Sequence, residues 1–113
     1  MNGEFINLDT AKKIQEDKNM KEKLLKIINY YGEKNQREYL GKEYQELQDE
    51  IYKCINGNEC NILTEIADVL VLTLQFMAQY DYSFDLLEEN LKKEINFKVD
   101  RQLGRMENDN NKN

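Results

Sequence analysis

The sequence contains no proline, no histidine and no tryptophan, and only 5 glycines in 113 residues. A sandwich or barrel needs more turn-forming residues than this, whereas a set of long helices needs few. Without histidine there is no serine–histidine or cysteine–histidine nucleophile system, and no carboxylate–histidine ligand set of the di-iron type. Two cysteines fall short of the four soft ligands usual for structural zinc. A glycine-rich phosphate loop followed by lysine and serine or threonine is also missing. Residues 1–10 lack a basic stretch followed by an apolar one, so no secretory signal is expected. The longest apolar run, 66–74, includes Asp68 and Thr73 and is too short to span a bilayer. Basic residues are outnumbered by acidic ones, 16 to 22, and the net charge of −6 argues against nucleic-acid polymers and anionic membranes as partners. The expectation is a cytoplasmic chain in which Cys54 and Cys60, flanking a loop across which a disulfide is conceivable, stay reduced.

What is present is helical periodicity. Residues 9–31 read as a helix that Asn19 interrupts, capped by Asp9 or Thr10 and ended by Gly32. Over 34–55, Leu40, Tyr44, Leu47 and Ile51 recur at intervals of three and four. Asn56-Gly57-Asn58 signals a turn. The most apolar helix follows over 61–80, and Asp81 and Ser83 offer a connection and a cap. The last helix spans 84–105, with Phe84, Leu87, Leu91, Ile95, Val99 and Leu103 as its stripe. The polar segment 107–113 is expected to be a disordered tail. These elements predict an all-α, four-helix bundle-like subunit, one domain over 1–106. A chain this short is expected to complete its core as a homodimer or a dimer of dimers.

Two acidic pairs stand out. Glu43 and Glu46 lie three apart on the second helix, and Glu65 and Asp68 lie three apart on the third, so each pair shares a face. Such spacing also occurs on solvated, salt-bridged faces. Here, however, Glu65 falls in line with Leu72 and Phe76, so the carboxylates begin a stripe that continues as core. Four carboxylates brought together by antiparallel helices repel one another, and a divalent cation resolves this. Hard oxygen ligands favour Mg2+, with Mn2+ as the substitute. Glu50 reads either as a further ligand or as the partner of Lys53. Lys98, Arg101 and Arg105 could grip phosphates, or could simply offset the dipole at a helix C-terminus. Tyr31, Gln36, Tyr39 and Tyr44 are candidates to line a pocket, with a base stacked on tyrosine and Gln36 at its edge; core packing explains the tyrosines equally well.

The ordered motifs Glu43-Tyr44-Gln45-Glu46 and Glu65-Ile66-Ala67-Asp68, with 18 residues between them, resemble those of MazG-like nucleotide pyrophosphohydrolases. That family belongs to the all-alpha NTP pyrophosphohydrolase superfamily, which includes the dimeric dUTPases. The surrounding segments EYQELQDEI and LTEIADVLVLTLQF are similar as well, as are YGEKNQ and FKVDRQLGR; the likeness covers roughly residues 18–106. Lys42 departs from the pattern, standing where many members carry a further glutamate. The resemblance implies hydrolysis of a nucleoside triphosphate between the α and β phosphates, giving a monophosphate and pyrophosphate. It implies that Glu43, Glu46, Glu65 and Asp68 hold Mg2+, that Lys98 and Arg101 contact phosphate, and that Gln36 approaches the nucleotide. Glu46 is the preferred proton acceptor. Two other readings stay open: a non-catalytic helical interaction protein, and a metal-dependent hydrolase of another phosphorylated small molecule.

Overall fold

A computed structural model describes residues 7–80 and 82–111. It is all-α, with four helices among the described residues: α1 (Leu8–Tyr31), α2 (Glu33–Ile55), α3 (Ile62–Gln79) and α4 (Leu87–Asn111). They fall into two compact units: residues 18–84, and the stretch up to residue 17 together with the stretch from 85 onward. Helix α1 contributes residues to each.

In the unit spanning 18–84, α2 and α3 form an antiparallel hairpin, the most extensive helix pairing among the described residues. Gly32 separates α1 from α2. Its φ of 91° is a left-handed value that only glycine takes freely, and its N–H closes α1 on the carbonyl of Ile28 at 2.8 Å. Helix α1 runs through Asn19 without a break. At the far end of α2, Asn58 N–H reaches the Lys53 carbonyl and Gly57 N–H the Cys54 carbonyl, with Gly57 at φ 77°. That pair of bonds is a Schellman termination. The two cysteines, expected to be reduced, are joined in a Cys54–Cys60 disulfide across this turn. The turn sets their Cα atoms 5.4 Å apart, inside the range a disulfide spans.

Core residues come from Leu24 and Ile28 on α1, from Val69, Leu72 and Ala78 on α3, and from Phe84. On α3 these form one stripe, with Gln75 in line. Helix α2 is different. Its two buried residues are both polar, Gln36 and Glu43, seven apart and therefore on the same face. Along the hairpin, Glu33 accepts from Gln79 Nε2 at 2.9 Å, Gln36 donates to Gln75 at 2.8 Å, and Glu50 accepts from the Asn61 N–H at 2.8 Å. Each step along α2 is matched by a step back along α3. In the same register Glu43 falls opposite Asp68, and Glu46 opposite Glu65. By length and composition α3 could cross a membrane, with a mean hydropathy of 1.4 over 18 residues. Four of its residues, Val69, Leu72, Gln75 and Ala78, are buried in the single chain, and Leu63, Leu70 and Val71 are exposed.

In the other unit, α1 starts from Asn7, whose Oδ1 accepts the Thr10 N–H at 2.7 Å, so neither Asp9 nor Thr10 is the cap. Helix α4 starts at Leu87, three residues later than the periodicity suggests. Phe84 is buried as core, and Leu86 turns the chain with a left-handed φ of 57°. The first N–H of α4 is capped by Asp17 Oδ2 of α1 at 3.0 Å, a long-range partner that local sequence does not reveal. Lys13 pairs with Glu89 at 3.2 Å. Helix α4 buries no residue, and it continues through residues 107–111, which composition assigns to a disordered tail. A helix already nucleated adds each further residue at little cost, so polar composition alone did not end it. Residues 112 and 113 and Asp81 lie outside the described residues.

Candidate metal centre

The hairpin register brings carboxylate oxygens of Glu43, Glu46 and Glu65 within 4.8 Å of one another. Asp68 is outside this group but lines, with Glu43, an adjoining cavity of about 200 Å³. Glu43 is only 4% exposed. Its Oε2 and the Oε2 of Glu65 are both buried with no hydrogen-bond donor. Two carboxylate oxygens in this condition are costly to hold dry, and the cost calls for a proton or a cation.

The electrostatics agree. Repulsion from Glu43, then a hydrogen bond shared with it, raises the Glu46 carboxyl above the usual range, with Glu65 and Asp68 adding to it. Burial raises Glu65 in the same sense, helped by Asp68, Glu43 and Glu50 and opposed only by Lys53. The Tyr39 hydroxyl is held protonated by its hydrogen bond to Glu43 and by that group's charge. Glu50 behaves in the opposite way. It accepts from the Asn61 N–H and, at 3.1 Å, from Lys53 Nζ, and these lower its carboxyl. Glu50 is therefore the partner of Lys53 and a tie between the helices. The donors that converge are all hard oxygens, and their orphaned atoms and mutual repulsion fit a divalent cation.

Of the other candidates, Gln36 and Tyr39 line the cavity beside Glu43. Tyr44 does not; it lines a separate depression with Leu40 and Phe76. Tyr31 packs edge-on against Tyr30, with ring centroids 4.8 Å apart. Lys98, Arg101 and Arg105 are exposed on α4, in the other unit. There Lys98 Nζ lies 3.8 Å from Glu94, and the Arg101 guanidinium lies 6.0 Å from the centre of the Phe97 ring. Sequence reasoning missed Gln75, which is 1% exposed, bonded to Gln36 and part of the cavity wall. The signal was available: Gln75 follows Asp68 by seven residues, as Glu43 follows Gln36. Compared with family models, curated proteins and solved structures, the chain gives no match in any of the three.

Proposed function

We propose that the chain is a Mg2+-dependent nucleoside triphosphate pyrophosphohydrolase, cleaving between the α and β phosphates. The observation that carries this is the convergence of Glu43, Glu46 and Glu65 with two buried, donorless oxygens, beside a cavity lined by an amide and a tyrosine. Glu43, Glu46, Glu65 and Asp68 would hold the cation, which when bound polarises phosphate oxygens and acidifies water. Glu46 is the exposed member of the trio and so the one that an attacking water can reach as a proton acceptor. Water bonds to the α phosphorus, its proton passes to Glu46, and the bond to the bridging oxygen breaks. Pyrophosphate leaves with that electron pair. Gln36 and Tyr39 position the nucleoside. Lys98 and Arg101 are assigned to the phosphates by the resemblance alone.

A homodimer or dimer of dimers belongs to the same proposal. Its support is the exposed α4 stripe, where Leu91, Ile95, Val99 and Leu103 are 40–57% accessible in the single chain. The same stripe also supports a second reading, a non-catalytic helical interaction protein.

The test is purified protein with Mg2+ and a panel of standard and modified triphosphates, both products being identified. A monophosphate with pyrophosphate is expected. Orthophosphate release would point to another phosphate hydrolase, and no turnover at all would favour the interaction protein. Glu65→Gln with Asp68→Asn should lower activity by at least about 100-fold and abolish metal binding while circular dichroism stays helical, since even residues behind metal ligands are worth 10–100-fold. Retained activity would remove these carboxylates from the mechanism.

A further inference from the structure

The Gln36–Gln75 contact is unusual for the middle of a helix hairpin. Gln75 is the most deeply buried large side chain described, and Gln36 is 8% exposed. Two apolar residues would join α2 to α3 without the cost of drying two amides. The pair instead forms part of the cavity wall, with Tyr39, half exposed, and Val71 and Leu72 as the less polar surfaces. Glu43, nine-tenths buried with an unpartnered oxygen, lines the same cavity. Gln75 Oε1 accepts from Gln36 Nε2 at 2.8 Å, which fixes the rotation of the Gln36 amide and leaves its carbonyl and second N–H for a ligand. A planar acceptor and donor side by side complement the edge of a nucleobase, whose faces would lie between Tyr39 and the aliphatic wall. Both glutamines precede or follow their facing carboxylates by seven residues, about 10 Å along the helices. That interval accommodates the sugar between a base and its α phosphate.

Resting on the proposed triphosphate activity, we infer that Gln75 is the positioning residue for base selection, orienting Gln36 to read the base edge. The role is separate from the chemistry at the carboxylates. Replacing Gln75 therefore alters KM and base preference and leaves kcat nearly untouched.

The experiment measures kcat and KM for the four common nucleoside triphosphates with the wild type, Gln75→Met, Gln36→Met and the double variant. Thermal midpoints and Mn2+ binding without nucleotide are recorded alongside. The expected result is a KM for the preferred base raised about 10-fold or more in each single variant, a flattened preference, and kcat within about 3-fold. The double variant should be no worse than either single one, because the pair acts as one unit. Mn2+ affinity should be unchanged. A wild type that cleaves triphosphates with a base preference that Gln75→Met preserves would overturn the assignment alone. So would a wild type that cleaves all four equally. If Gln75→Met does not fold, Gln75→Leu, which also removes the acceptor for Gln36 Nε2, is read in its place. A wild type that cleaves none overturns the proposed activity and this role together.

Discussion

The α2–α3 hairpin and helix α4 are both helical, yet they hold themselves together differently. The hairpin buries Val69, Leu72 and Ala78 and closes with a Schellman turn, a disulfide and the Glu50–Asn61 bond. Helix α4 buries nothing, and what defines it is its start: the left-handed Leu86 and the Asp17 cap. Burial and cross-links are thus concentrated in the hairpin that carries the carboxylates. A ligand cluster needs supports that do not yield, because mutual repulsion would otherwise spread it. A helix with an exposed stripe can instead wait for a partner surface.

Substitution should expose that contrast most sharply. Leu72→Ala is expected to cost about 2–5 kcal/mol in urea or guanidinium unfolding, as for other buried leucines. Ile95→Ala on α4 should stay within about 0.5 kcal/mol in dilute protein. Equal losses at both positions would erase the distinction. A penalty at Ile95 that grows with protein concentration would mean that a second copy covers the stripe. Next in size is the disulfide. Cys54→Ser with Cys60→Ser should lower hairpin stability by about 2 kcal/mol, the loop-closure entropy for so short a ring. The check is the unfolding midpoint of the oxidised wild type against the double variant. No change would mean the Schellman turn and Glu50 suffice.

The subtlest expectation concerns pH. Glu46 and Glu65 bind protons more tightly in the fold than in the unfolded chain, whose ordinary value is 4.5. The folded state therefore carries more protons just above that pH, and metal-free stability should fall as pH rises through their raised values. Glu33 and Glu50, held low by hydrogen bonds, work the other way: their contribution is full above the ordinary range and is lost as pH drops below it. Metal-free protein should therefore show a stability maximum in mildly acidic solution, seen as thermal midpoint against pH. Saturating Mg2+ should flatten the alkaline side. A midpoint that instead rises steadily toward neutrality without metal would mean the carboxylates do not repel one another.

Much of the hairpin was legible beforehand. Regular apolar spacing, Gly32 and Asn56-Gly57-Asn58 place the ends of α2 and α3 within a residue, because each signal acts on its own neighbourhood. The facing of Glu43 and Glu46 with Glu65 followed from the antiparallel return. What escaped was set by distant partners. Asp17 caps a helix 70 positions later, and Gln75 has a clear role only once Gln36 lies opposite it. Phe84 looked like the first member of the α4 stripe, since apolarity alone does not distinguish a core residue from the start of a helix. The cysteine pair turned on how closely the turn brings residues 54 and 60, which spacing in the chain does not state.

The connection between α2 and α3 also acts as a gauge for everything beyond it. One residue added between Asn61 and Glu65 would rotate the remainder of α3 by about 100° and turn its acids away from those of α2. Extra length within 56–60 would leave the phase of α3 unchanged and cost only the Schellman bonds and the short disulfide ring. Changes in chain length should therefore be tolerated on one side of Asn61 and ruinous on the other.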